Sequence, residues 1–268
     1  MKWMFSLKVL DLFCGGGGAS MGMHQALEEA NIKHTIVGID IREMPDYPFE
    51  FVQADIFKIG YINYNYFDFI WASPPCQAFT ISNKSLRNKG FKYPNLIPIT
   101  RELLLKTGKP FIIENVSAAP IRKNLLLCGE MFGLKVFRHR IFEIEGFKCY
   151  QPKHPKHRDI VGKGKYTVIT GGAFRMPEKK RRKEKLNLNY GTYDDWCKAM
   201  GIHWISLEYT DKKSRKSYNT ENSGPTLCSN HPLAEAIPPA YSKFIMEEYL
   251  RNHPTIMDFI QEEKIMKC

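Results

Sequence analysis

The sequence has no apolar run approaching the roughly 18–20 residues that span a bilayer; its longest, around Phe67–Ala72, is a third of that. It has no internal repeat and no low-complexity tract beyond one basic run, which excludes solenoids, collagens and coiled coils. Met1–Leu12 lacks a small-residue cleavage site and runs straight into Asp11 and four glycines, so it reads as a first strand rather than a signal peptide. The seven cysteines are odd in number and show no repeated spacing, which argues against a disulfide framework and for reduced thiols in a cytoplasmic protein. A dinucleotide fingerprint is also missing. Gly15 and Gly17 would need a third glycine at 20, which is Ser20, and Gly16 and Gly18 would need one at 21, which is Met21.

What is present begins with charge. The 268 residues carry 39 Lys and Arg against 28 Asp and Glu, a net of +11. Residues 146–231 hold 18 of the basic and 8 of the acidic groups, so nearly all the excess lies in one internal third. A near-neutral body carrying a basic module is suited to a polyanion. A solvated lysine-rich surface would give the same count.

Hydrophobic patterning supplies the body. Lys8–Phe13, Thr35–Ile39, Phe51–Ile56, Phe67–Ala72 and Pro110–Ile113 read as strands, and Ala19–Ala30 and Leu96–Lys106 as helices, with a polar loop over 82–92. Alternating strands and helices predict an α/β fold: a doubly wound, mostly parallel sheet. Beyond Gly146 prolines and glycines punctuate short segments, and a helix returns at Ala240–Leu250 behind Pro238-Pro239. The expected division is a body of 1–146 plus 232–268 and a loop-rich insert of 147–231.

In an open α/β sheet ligands lie beyond the carboxyl ends of the strands. Here those ends carry Phe13-Cys14-Gly15, Asp40, Asp55 and Pro75-Cys76. The glycines let the backbone approach a ligand closely, and Asp40 is placed to accept hydrogen bonds from ribose hydroxyls. Without the dinucleotide fingerprint, a nucleoside cofactor lacking a pyrophosphate fits better than NAD, which disfavours a dehydrogenase. Asp55 taken alone reads equally well as the N-cap of a turn before Ile56.

The ordered set DLFCGGGG (11–18), Asp40, ADIF (54–57), SPPCQAFT (73–80), ENV (114–116), RHR (138–140) and AIPP (236–239) resembles the cytosine-5 DNA methyltransferases. The matches run in family order over 8–143 and again from 232 to about 250. The resemblance implies a Rossmann-like body that binds S-adenosyl-L-methionine through Phe13, Gly15, Gly17, Gly18, Asp40, Ile41, Asp55, Ile56 and Pro75. It implies Cys76 as the nucleophile, Glu114 as the acid beside the base, Arg140 on the base carbonyl and Arg138 beside it. It also implies that 147–231 is the target-recognition domain for double-stranded DNA, in a monomer of prokaryotic or viral origin with a restriction endonuclease as companion.

The chemistry of these residue types agrees. C5 of cytosine is a poor nucleophile until a thiolate adds to C6, and a carboxyl group near N3 can take up the charge that results. The sequence departs from the family at two points: Val136 replaces the leading glutamine of Gln-x-Arg-x-Arg, and Ala234-Glu235 replaces Gly-Asn before the paired prolines. An RNA cytosine methyltransferase would share the pocket, but its late Cys-Phe-Thr signature is missing. A catalytically silent DNA-binding relative is the other alternative. In the insert, Lys179–Lys185 is suited to phosphates and Gly171-Gly172 to a base-reading loop, while Trp196 and Trp204 belong to the insert's small core or to its packing against the body. Cys149, His154 and His157 are spaced C-x4-H-x2-H, three candidate ligands without a fourth, so no metal is expected.

Overall fold

The computed structural model describes residues 6–60, 62–157, 163–167, 169, 187–189, 193–206, 231–253 and 256. Chain order begins β1 (Ser6–Leu12), α1 (Gly18–Glu29), β2 (Lys33–Asp40), β3 (Glu50–Gln53) and β4 (Phe69–Ala72). A short helix α2 (Lys84–Asn88) precedes α3 (Ile97–Thr107), β5 (Phe111–Asn115), β6 (Leu125–Leu127) and β7 (Arg140–Glu145). In the insert lie β8 (Lys163–Thr167), β9 (Asn187–Asn189) and α4 (Tyr193–Met200), followed by α5 (Pro232–Glu235) and α6 (Pro239–Arg251).

Seven strands form one sheet in the order β3-β2-β1-β4-β5-β7-β6. The first five are parallel, and β7 runs antiparallel to both β5 and β6. This is the doubly wound, mostly parallel sheet expected, with the antiparallel β7 and β6 at its end as the addition. Central strands are apolar on both faces: Phe69, Ile70, Trp71 and Ala72 are all fully buried. One face packs on α1 and α6, the other on α3. Each buried Leu, Ile or Phe contributes about 1.5–3 kcal/mol by leaving water.

Two local features deserve their physical cause. Gly22 on α1 lies so close to α6 that a Cβ would overlap the Pro239 carbonyl and the Ser242 hydroxyl. The helices can meet there only because that side chain is missing. Glu143 on β7 is fully buried and anchors Arg101 of α3 (2.6 Å) and Arg122 (3.1 Å). That double pairing offsets the cost of burying the carboxylate and holds the antiparallel strand to the helical layer.

Two expectations shift. The third strand stops at Gln53, three residues short of Ile56, because Asp55 accepts the Phe57 N–H at 3.1 Å and closes a turn. The loop over 82–92 contains α2, whose Arg87 binds the carbonyls of Gln77 (3.0 Å) and Thr80 (2.8 Å). In the insert, Trp196 is fully buried with Met200, Ile202, Ile205 and Leu233, and the Trp204 indole donates to the Gly16 carbonyl at 2.8 Å. The small core expected of these tryptophans is therefore present, and it continues into the segment entering α5. Lys179–Lys185 and Gly171-Gly172 lie outside the described residues.

Candidate active site

Parallel register brings the residues expected to react to one place. Leu12 pairs with Ala72 and Ala72 with Ile113, so three adjacent strands end at one level. The chain beyond them carries Phe13 to Gly18, Ser73 to Cys76, and Glu114-Asn115. Residues about 60 and 40 positions apart thus share one rim of the sheet.

Glu114 is buried, and its Oε1 lies 2.8 Å from Arg140 Nε. Burial raises the carboxyl above its ordinary value, while Arg140 and the Ser73 hydroxyl oppose the rise. Ser73 is itself held by the Trp71 indole at 2.9 Å. Cys76 follows on a half-buried loop, and its carbonyl accepts the N–H groups of Phe79 and Thr80, both at 2.9 Å. Asn115 donates from Nδ2 to the Pro74 carbonyl at 2.8 Å, tying that loop to β5.

Burial also lifts the Cys76 thiol above its usual range; Arg140 lowers it and Glu114 raises it. The electropositive setting that favours a thiolate is thus outweighed in this state by desolvation.

Arg138 sits at φ +36 with its Nη2 on the Ala234 carbonyl at 2.8 Å. Burial, then the neighbouring charge of Arg140, pulls its guanidinium down to about 9. The Tyr241 hydroxyl reaches the carbonyls of Phe137 (3.2 Å) and Arg138 (3.0 Å) from α6. Tyr241 and Asn115 are functional neighbours that periodicity had assigned only to a helix face and a strand end. Val136, where the family has glutamine, is buried in the insert-side core. Glu235 pairs with Arg42 at 2.5 Å, so the altered C-terminal motif is tied to the end of β2.

On the cofactor side, Asp40 Oδ2 accepts the Gly15 N–H (3.0 Å) and Oδ1 the Arg42 N–H (2.9 Å). Gly15, at φ +50, faces open space, and Ile41 beside it is 64% exposed. An open backbone, a carboxylate with spare lone pairs and an uncovered aliphatic side chain fit a nucleoside. Phe13, at φ +57, packs near the Phe57 ring, with centroids 6.1 Å apart.

The other expected contacts divide. A Cβ on Gly17 would strike Pro48 and Tyr47, and one on Gly18 the Ile237 carbonyl, so packing of the protein on itself demands both glycines. Asp55 caps its turn and pairs with Lys58 at 3.2 Å. Ile56 is buried in the core beside Leu10 and Ile70, and Pro75 is half-buried next to Cys76.

Comparison with known proteins agrees with this geometry. Residues 7–124 match the family described as C-5 cytosine-specific DNA methylase. The chain is 35% identical over 119 residues to the type II methyltransferase M.HgiCI of Herpetosiphon aurantiacus, covering 41% of this chain and 27% of the relative. To M.NlaIV of Neisseria lactamica it is 31% identical over 121 residues, or 42% and 28% of the two chains. M1.ScrFI of Lactococcus lactis subsp. cremoris aligns over 82% of this chain and 57% of its own length at 26% identity. The matches thus span about a quarter of the first two relatives and over half of the third.

In three dimensions the chain resembles the Entamoeba histolytica methyltransferase EhMeth, with TM-score 0.55 and 16% identity over 92% of this chain and 98% of that one. That likeness concerns the fold. The family match over 7–124 takes in the residues from Phe13 to Asn115 that are gathered at one sheet rim, and over that part the chain is similar to the C-5 cytosine-specific DNA methylase family.

Proposed function

We propose that this chain transfers a methyl group from S-adenosyl-L-methionine to C5 of a cytosine turned out of duplex DNA. The observation that carries the reading is the buried Glu114, 2.8 Å from Arg140, on the strand whose Asn115 holds the Cys76 loop. When bound, the cofactor supplies an electrophilic methyl on a sulfonium. Its adenosyl end would lie across Phe13, Gly15, Asp40 and Ile41.

The chain's own residues do the rest. Cys76 Sγ gives its proton to solvent and bonds to C6, driving the C5–C6 π electrons toward C5. Glu114, its carboxyl raised above the ordinary carboxylate range by burial, gives a proton to N3 as that charge develops. Arg140 binds the base carbonyl while its Nε keeps Glu114 in place, and Arg138 steadies the loop. C5 would then take the methyl that the cofactor's sulfonium supplies, the sulfur–methyl bond breaking as the carbon–carbon bond forms. Loss of the C5 proton to solvent, with the C6–S bond electrons returning to Cys76, expels the thiolate and restores the aromatic ring. The target must leave the stack for any of this, since C6 is covered within the duplex.

The same reading assigns 1–146 plus 232–268 to catalysis and the basic 147–231 to DNA contact. It makes the protein a monomeric cytoplasmic enzyme, and the relatives' type II names suggest a companion endonuclease. Bisulfite sequencing of DNA and transfer RNA from expressing cells tests it. Methylcytosine in one DNA sequence context supports the proposal, and its appearance in RNA alone overturns it. DNA carrying 5-fluorocytosine at the target should trap the enzyme covalently, because fluorine cannot leave as a cation.

A further inference from the structure

Outside the reactive cluster, four side chains from three parts of the chain meet at one point: Cys128 after β6, His139 before β7, and His154 and His157 beyond it. Their donor atoms all lie within 4.8 Å of one another. His139 Nε2 is 2.9 Å from His154 Nε2 and 3.2 Å from His157 Nε2, and Cys128 Sγ is 3.2 Å from His157 Nε2. Cys149, the cysteine that sequence spacing had joined to these histidines, packs instead against the main core near Glu248 and Arg251.

The tautomers are fixed from outside the cluster. His154 Nδ1 is 2.8 Å from the Pro155 carbonyl, which can only accept, so Nδ1 carries the proton. His157 Nδ1 is 2.5 Å from Glu130 Oε2, which imposes the same form. Both Nε2 lone pairs therefore point inward. One proton on His139 Nε2 can serve only one of them, which leaves the weak Cys128 S–H donor for the other. A cation at the centre serves all.

We propose that Cys128, His139, His154 and His157 form a tetrahedral zinc site that locks the Arg138–Arg140 loop to the start of the basic insert. Zinc bonds of about 2.0–2.1 Å to nitrogen and about 2.3 Å to sulfur place ligand atoms roughly 3.3–3.6 Å apart. The three separations above need open by only a few tenths of an ångström. One thiolate and three imidazoles suit zinc over harder cations, and four protein ligands leave no open position, which makes the site structural. The Pro155 carbonyl supplies an outer hydrogen bond to His154 and the Glu130 carboxylate a close ionic contact to His157, the kinds of partner that orient metal-bound histidines. Glu130 Oε1 also accepts from Tyr166 on β8 at 2.6 Å, and the Tyr166 ring stacks on Phe137 with centroids 4.2 Å apart. The site thus ties together Phe137, His139 and the first strand of the insert. Because His139 stands between Arg138 and Arg140, a metal on its ring sets where both arginines emerge.

The test uses the purified full chain and needs no activity. Elemental analysis should find one zinc per chain. After chelation and reconstitution, Co²⁺ should give tetrahedral d–d bands and a thiolate-to-metal charge-transfer band. Cys128→Ser should remove the charge-transfer band, and the half-buried His154→Ala should lower zinc affinity at least tenfold even if Cys128→Ser folds poorly. Glu130→Gln should weaken zinc about 10–100-fold by releasing His157. Failure of the intact chain to bind Zn²⁺ at one equivalent, or binding unchanged in His154→Ala, overturns the proposal. So does a different metal at that stoichiometry. A zinc-loaded protein that methylates nothing would sink the proposed function and leave this site standing.

Discussion

Asn115 and Pro74, 41 positions apart, are joined by a single hydrogen bond of 2.8 Å from the amide of one to the carbonyl of the other. The donor follows Glu114 on β5 and the acceptor stands two residues before Cys76, so this bond sets Glu114 and the Cys76 loop in one frame. Asn115→Ala would leave the Pro74 carbonyl without this donor in a buried place, at about 1–3 kcal/mol of stability. Methyl transfer should lose kcat while the KM for the cofactor holds. Equal changes in both would show that the bond supports the fold in general and not the loop.

The Cys76 thiol is raised by burial, so its ionisation in the free enzyme lies above the ordinary thiol range. Alkylation of Cys76 by iodoacetamide should still be accelerating with pH at pH 9. Arg140→Ala removes the charge that opposes the rise, and should slow alkylation further at a given pH. A rate already level at pH 7 would mean a preformed thiolate. Cys76→Ala should abolish the 5-fluorocytosine adduct, whereas Cys14→Ala and Cys149→Ala should leave it intact.

Asp40 closes the glycine loop through Gly15, and the proposed function assigns its remaining lone pairs to the ribose of the cofactor. Asp40→Ala should weaken S-adenosylmethionine binding by about 1.5–3 kcal/mol in calorimetry, the worth of charge-assisted hydrogen bonds. Tight NAD binding with no affinity for S-adenosylmethionine would end that reading.

Asp11 is fully buried, with Ser20 Oγ donating to its Oδ2 at 2.5 Å and the Tyr47 hydroxyl 2.6 Å from Ser20 Oγ. Burial lifts its carboxyl from 3.8 to about 7. Between those values the folded chain keeps a proton that the unfolded chain has released. Asp11 therefore costs stability progressively from about pH 4 to 7, and the full cost persists above pH 7. Asp11→Asn keeps an acceptor for Ser20 and removes the titration. The Tm of the variant relative to the parent should rise by several degrees between pH 5 and pH 8. A gap independent of pH would show that Asp11 does not titrate in this window.

The parallel body and its rim were legible in the sequence because they rest on local rules. Apolar runs such as Phe69–Ala72 can be satisfied only by a strand covered on both faces, and strand ends followed by glycine or proline announce loops. Cys76, Glu114 and Arg140 stood out by residue type and order. What tertiary structure alone decided depends on pairing between distant residues, which no spacing encodes. The antiparallel β7 rests on Glu143 reaching Arg101 and Arg122, and the loop of Arg138 and Arg140 rests on Tyr241 a hundred positions away. The same holds for Cys128, which joins His154 and His157 in place of the nearer Cys149. Hydrogen bonds and ligand spheres act over about 3 Å of space whatever the length of chain between their members. Only the folded arrangement could choose among the candidates.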